Sequence, residues 1–371
     1  MTQVITRIDV ATLQGKRPRA AGSNARLGHH GDVARLPLVR LTTSDGATGF
    51  GRCRASEDQL RQLLGQDPFA HAEWGHVATA WTFAEFPLLD LAARQAGQPV
   101  AALIGGAPRK LRTYDTSLYF DDLHLDDDDA AAAELIAGEA REGWDLGHRA
   151  FKIKVGRGAR HLPLEAGTVR DMAVIRAVRE AVGPEATVMI DANNGWNLNL
   201  TKRVLLETAD TNLYWLEEAF HEDNVLYADL KEWLAAEGLS VLIADGEGAF
   251  HPALADWAVD GVIDVVQPDI FDIGFTRWLN LGAKLDAHDV ASSPHTYGGG
   301  IGPCMVAHLA GLVRGIEFIE WDDAAFAEID ASAWAIRDGW IDVADATGFG
   351  LELDHRAFDA TVARTGFTLR Q

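Results

Sequence analysis

Hydrophobic patterning divides the chain into two regimes. In the first, Val4–Leu13 and Leu36–Thr43 alternate apolar and polar residues as strands do. Ser44-Asp45-Gly46 is a turn signal leading to a further strand near Thr48–Gly51. Residues 15–32, GKRPRAAGSNARLGHHGD, are rich in Gly and poor in apolar residues, and predict a long loop, of a kind that is commonly a functional lid or disordered. A helical pattern over Phe86–Gln95 stops at Gly97 and Pro99. An α+β domain over residues 1–111 is the expectation.

From about Arg112 short apolar strands recur, each followed by a helix-length segment. They are Thr113–Tyr119, Ala150–Val155, Thr187–Asn193, Leu213–Ala219, Val241–Glu247, Val262–Asp269, Val290–His295 and Ile316–Trp321. The run DMAVIRAVREAVGP predicts a helix with Asp171 as N-cap and Gly183-Pro184 beyond its end. The four aspartates at 126–129 predict a solvated helix start, where carboxylates suit the helix dipole. Strands alternating with helices imply parallel pairing through right-handed crossovers. Eight such units over residues 112–344 predict an α/β fold, a (β/α)8 TIM-type barrel with the N-terminal α+β domain as its cap. A doubly wound open sheet is the competing arrangement, but no Gly-rich phosphate fingerprint follows the first strand.

The barrel assignment changes how the charges read, because chemistry in such barrels sits at the C-terminal strand ends. Those ends carry Lys152 and Lys154, Asp191 and Asn193, Glu217, Glu247, Asp269, His295 and Glu320. Core packing does not produce such a series, since buried charge is costly unless paired or metal-bound. Asp191, Glu217 and Glu247 come from three successive strands, and as neighbours they would repel unless a cation sat among them. An all-oxygen set of this kind suits Mg²⁺. Regular alternation sends Glu218 to the opposite face from Glu217 and puts Asp245 on the face of Glu247. His295 beside Asp269 forms a carboxylate–imidazole pair suited to acid/base work. Lys152 and Lys154 share one strand face, pointing at the metal, and nearby positive charge should depress a lysine pKa towards neutrality.

Composition narrows the class. The formal net charge of −22 argues against nucleic acid and anionic membranes as partners. No apolar run reaches membrane-spanning length, and Met1–Val10 lacks a signal-peptide core. Cys53 and Cys304 are the only cysteines and have no metal-binding spacing. A cytoplasmic enzyme acting on a small molecule is expected. Within loop 15–32, Lys16, Arg17, Arg19 and Arg26 face a single acid, Asp32, so Arg17, Arg19, Arg26, His29 and His30 are candidates for holding a distal hydroxyl or carboxylate.

The Lys-x-Lys, the Asp/Glu/Glu set, the Asp, the His and the final Glu, in this order, resemble the mandelate racemase subgroup of the enolase superfamily. That resemblance covers nearly the whole chain and implies a C-terminal segment, 345–371, returning to the cap. It implies that Asp191, Glu217 and Glu247 bind Mg²⁺, and that Lys154 and the His295–Asp269 pair work opposite faces of the substrate. Lys152 and Glu320 would then hold the carboxylate as an enediolate forms, and Asn193 would contact a substrate oxygen. Ala219 stands where the family usually has Pro, and the segment from Glu217 to Glu247 is slightly long; neither removes a functional group. The segment KVGRGARHLPLEAG is similar to that of the subgroup's dehydratases. The implied reaction is dehydration of an acid sugar, an aldonate or aldarate, to a 2-keto-3-deoxy acid. The alternatives are racemisation or epimerisation of a 2-hydroxy acid and, further off, a non-catalytic metal-binding barrel. The family also implies a homo-oligomer.

Overall fold

The computed structural model describes residues 3–69, 79–125, 128–298, 300–343 and 346–371. The cap is built on a four-stranded antiparallel sheet of β1 (Ile5–Ala21), β2 (Gly31–Thr43), β3 (Thr48–Arg52) and the final strand of the chain, with β1 and β2 at its centre. Helix Glu85–Gln95 lies so close to β3 that a Cβ on Gly49 would come within 2.3 Å of the Leu91 backbone nitrogen. Asp90 on this helix accepts from Phe50 N at 3.0 Å and Phe349 N at 3.1 Å, which ties the cap to the C-terminal segment.

Half of the predicted loop 15–32 is strand. β1 continues to Ala21 and pairs with β2 in the register Gln14↔Arg35, Gly15↔Ala34 and Lys16↔Val33, leaving residues 22–30 as the connection. The segment lacks an apolar face because backbone pairing and polar contacts with the barrel hold it. Lys16 exchanges backbone hydrogen bonds with Ala325 at 2.8 and 3.0 Å.

Eight parallel strands follow: β4 (Lys110–Leu118), β5 (Ala150–Lys154), β6 (Thr187–Asp191), β7 (Trp215–Glu217), β8 (Leu242–Asp245), β9 (Val265–Val266), β10 (Ala291–Ser292) and β11 (Phe318–Trp321). β11 returns to pair with β4, and a parallel bridge from Ser292 to Ile316 brings β10 to the segment before β11, nearly closing the ring. All but the first of these strands are shorter than predicted, so Asn193, Glu247, Asp269 and His295 lie beyond strand ends. Outward-facing Phe151, Ile153, Val188, Ile190, Leu216, Ile243 and Ile319 join the main core under the helices.

Asp171 does not cap a helix. The helix runs Leu164–Val182, and buried Asp171 inside it accepts from Gly156 N and from Arg157 Nη1, both at 2.8 Å, fastening the loop after β5. Asp128 does cap helix Asp129–Asp145; Asp126 and Asp127 lie outside the described residues, as do 344 and 345 at the expected domain boundary. After the barrel come β12 (Ile329–Asp330), β13 (Trp340–Asp342), which adds antiparallel to β4, and β14 (Glu352–Leu353). Helix His355–Thr365 then leads to β15 (Phe367–Arg370), which pairs with β1. Among the described residues no helix is long and apolar enough to cross a membrane.

Candidate active site

The inward faces of the barrel strands form two layers with opposite character. Tyr114, Ala150, Met189, Trp215, Ala244, Val265 and Phe318 make a buried plug. A step of two residues along a strand returns to the same face. From the plug that step reaches Thr116, Lys152, Asp191, Glu217, Gln267 and Glu320, all nearly inaccessible to solvent. The polar layer is therefore set by strand periodicity on top of an apolar floor.

Asp191, Glu217 and Glu247 each offer a carboxylate oxygen, and the three lie within 4.8 Å of one another. Burial raises the Glu217 pKa to about 7, Asp191 and Glu247 contributing to the rise. Glu247 Oε2 is buried and accepts no hydrogen bond; the nearest cationic group is His295 Nε2 at 3.1 Å. A compact all-oxygen set with its negative charge crowded together fits a hard divalent cation that keeps oxygen ligands, Mg²⁺ above all.

Lys152 Nζ lies 2.6 Å from Glu217, 3.1 Å from Glu320 and 3.6 Å from Asp191, and Lys154 donates to Asp191. The expected depression of the lysine pKa values is not found. Burial acts to lower both, but Glu217 and Glu320 hold Lys152 well above the ordinary value, and Asp191 holds Lys154 above it. The physical reason is the surplus of carboxylates around the two ammonium groups.

His295 sits at the other end of the triad. Its Nδ1 is 2.9 Å from Asp269 and its Nε2 is 3.7 Å from Glu320. Burial would lower its pKa, but Glu320, Glu247 and Asp269 push it to about 10. Asp269 also accepts from Phe271 N at 2.7 Å and Asp272 N at 3.2 Å, so the start of the next helix fixes its carboxylate. Burial acts to raise the Glu320 pKa, yet Lys152, His295 and the Thr296 N–H, donating at 2.7 Å, hold it below the usual carboxylate range.

Two expectations from strict alternation are overturned. Glu218 adopts φ 44°, outside the strand conformation, and its carboxylate turns to the rim. There it accepts from Asn193 Nδ2 at 3.0 Å and Asn194 Nδ2 at 2.7 Å, with Arg26 3.7 Å away. Burial, with Glu247 and Asp191 adding to it, raises its pKa to about 10. Asp245 does not share the face of Glu247. It turns out to the helix layer, where the Tyr227 hydroxyl donates to it, and Gly246 at φ 122° redirects the chain so that Glu247 points inward.

Arg17, Arg19 and Arg26, the three arginines of segment 15–32, are all paired with carboxylates. Arg17 forms a two-point pair with Asp322 at 2.8 Å, with both side chains buried. Arg19 donates to Glu142 at 3.0 Å and Ser117 Oγ at 2.7 Å. Arg26 alone reaches the triad, 3.3 Å from Glu247. The Asn193 Oδ1 atom is buried without a hydrogen-bond partner beside Asp191. Two residues escaped the sequence reading: Gln267 donates to Glu217 at 2.9 Å and Thr116 to Glu320 at 2.8 Å. The signal for both was there, as each stands two residues beyond a plug residue.

Residues 135–357 match the family described as enolase C-terminal domain-like. The chain belongs to the enolase superfamily, in its mandelate racemase subgroup. It is similar to a solved galacturonate dehydratase from Geobacillus sp., complexed with D-galacturonate and 5-keto-4-deoxy-D-galacturonate. Identity is 44%, the TM-score 0.95, and 99% of each chain is covered. A variant of that enzyme complexed with Mg superposes with TM-score 0.96 at 44% identity, over 100% of this chain and 97% of the other. The D-galactarolactone cycloisomerase of Agrobacterium fabrum is 28% identical over 71% of each chain. The L-talarate/galactarate dehydratase of Salmonella typhimurium is 27% identical over 86% of this chain and 78% of its own.

Proposed function

We propose that the protein is a Mg²⁺-dependent dehydratase of an acid sugar, and that the sugar is a hexuronate of the galacturonate type. The observation that carries this is the placement of an amine and an imidazole at opposite ends of the carboxylate triad, Lys154 at Asp191 and His295 at Glu247. A binder needs no such opposed acid and base. The uronate, rather than the aldonate or aldarate expected from sequence, is supported by the relative at 44% identity. Its two named ligands differ by one water, with a ketone next to the carboxylate and the adjacent carbon deoxygenated.

Asp191, Glu217 and Glu247 would hold Mg²⁺, which when bound supplies positive charge to the substrate carboxylate and relieves the crowding that keeps Lys154 protonated. Lys154 Nζ takes the proton from the carbon next to the carboxylate. His295 Nε2 delivers a proton to the hydroxyl on the following carbon, the C–O bond breaks, water leaves, and the resulting enol becomes the ketone. Lys152 faces the negative charge that develops on the carboxylate. Glu320, held as an anion, orients Lys152 and His295, and Asn193 offers its free oxygen to a substrate hydroxyl.

The division into cap 1–111, barrel 112–344 and return segment 345–371 is part of this proposal, supported by the pairing of β15 with β1. So are a homo-oligomer, which the family resemblance supports, and a cytoplasmic location, supported by two buried free cysteines. Light scattering tests the first. For the reaction, proton NMR of the protein with Mg²⁺ and D-galacturonate in D₂O should show substrate loss and growth of a deoxy-keto product. Deuterium at the carbon beside the carboxylate without loss of water would instead establish an epimerase.

A further inference from the structure

A cleft of about 320 Å³ lies outside the reaction centre, where the cap meets the barrel. Cap residues 52–55, Thr82, Phe83, Glu85 and Phe86 form one wall and residues 271–274 and Arg277 the other. The second wall is the segment that follows Asp269, the partner of His295.

Three guanidinium groups line this cleft: Arg52, Arg54 and Arg277. In a chain of net charge −22 that is an unusual concentration of positive charge. Two carboxylates also line it, and neither compensates well. Glu85 is committed to the helix that begins at Phe275, accepting from Phe275 N at 2.6 Å and Thr276 N at 3.1 Å. Asp272 is half-exposed and lies 3.9 Å from Arg54, itself largely exposed. Arg52 is different. It is 8% exposed, its Nε is buried without a hydrogen-bond partner, and no carboxylate lies within 4 Å of it among the described residues. Its guanidinium stacks on Phe271 at 3.9 Å, which fixes its plane and leaves its edge for a ligand. A buried, unpaired arginine is costly, and charge-assisted bonds to an oxyanion are the usual compensation.

We propose that this cleft is a binding site for a small oxyanion, a phosphate or a carboxylate, held by Arg52 with Arg54 and Arg277, and that it is distinct from the metal triad. The bound anion bridges the cap and the segment that positions Asp269. The lining is consistent with its size: the volume takes a phosphate or the carboxylate end of a small acid, and Gln59 and the Thr82 side chain add polar edges.

The test is calorimetric titration of the Mg²⁺-loaded protein with inorganic phosphate, at constant ionic strength against chloride. One phosphate per chain is expected, with affinity at least tenfold weaker in the double variant Arg54→Gln/Arg277→Gln, whose side chains sit at the cleft edge and whose loss leaves the core intact. Arg52→Met, which retains stacking on Phe271, should abolish binding. Lys154→Met should bind phosphate as the parent does. Parent-like affinity in both arginine variants, an absence of binding to the parent, or loss in Lys154→Met alone overturns the proposal; the last would place phosphate at the triad. Titrating Lys154→Met with D-galacturonate separates the two anion sources. An equivalent of D-galacturonate that is lost with Arg52→Met identifies a carboxylate ligand, and no such equivalent together with phosphate binding identifies phosphate. None of these readings depends on turnover, so failure of the dehydratase assignment leaves them interpretable.

Discussion

Asp269→Asn separates the chemical role of the His295 pair from its structural one. In the parent, one carboxylate oxygen takes the helix-start N–H groups of Phe271 and Asp272, and the other meets His295 Nδ1 at 2.9 Å. Asparagine can keep its carbonyl on the helix start while presenting an NH₂ to the imidazole. What is lost is one charge-assisted hydrogen bond to the imidazolium, of about 1.5–3 kcal/mol. At 1.36 kcal/mol per pKa unit, that lowers the His295 pKa by about one to two units. The sign follows from the parent: Glu320, Glu247 and Asp269 together raise this pKa, so removing one negative charge moves it down. A step that needs protonated His295 then fails at lower pH. The alkaline limb of the dehydration rate should shift downward by that amount, with kcat reduced about 10- to 100-fold. The assay is kcat against pH, paired with deuterium incorporation next to the carboxylate, which the proposed mechanism assigns to Lys154 and which should change only a few-fold. Equal losses in exchange and dehydration would refute the division of labour. So would a melting temperature as low as that of Asp269→Ala, since the residue would then be acting as a helix cap alone.

Lys154→Met should reduce deuterium exchange next to the carboxylate by about 10²–10⁴-fold, with Mg²⁺ binding retained by the triad; exchange near the parent rate would assign the base elsewhere. Gln267→Met removes the amide that holds Glu217 at 2.9 Å, and the Mg²⁺ concentration for half-maximal activity should rise about 10- to 100-fold. An unchanged Mg²⁺ titration would show that Gln267 does not position this ligand. Glu139, raised to about 8 by burial, binds a proton in the folded state that the unfolded chain releases nearer its ordinary value of 4.5. Stability should therefore fall as pH rises from about 4.5 to 8. Glu139→Gln should flatten that part of the urea-denaturation midpoint curve, and an unaltered slope would contradict the burial argument.

Much of this protein follows from the order of its residues, because strand periodicity is local. Eight apolar segments separated by helix-length spacings specify a parallel barrel, and a two-residue step along each strand fixes which side chains enter it. The carboxylates at 191 and 217, the lysines at 152 and 154 and the glutamate at 320 were legible for that reason. Their effect on one another was not. Alternation placed Lys152 and Lys154 together, but only the folded ring puts enough carboxylates around them to raise their pKa values instead of lowering them. Backbone conformation at strand ends likewise escapes a periodic reading. Positive φ at Glu218 and Gly246 reverses the faces expected for Glu218 and Asp245, because loop geometry answers to long-range packing rather than to neighbouring residues. The stretch at 15–21 looked like a loop for want of apolar residues. It is a strand because its partners, β2 and Ala325, come from elsewhere in the chain, and backbone hydrogen bonds ask nothing of side-chain hydrophobicity. The arginines of that hairpin became neutralised only when Asp322, Glu142 and Glu247 met them in space, since charge pairing acts through distance and not through sequence position.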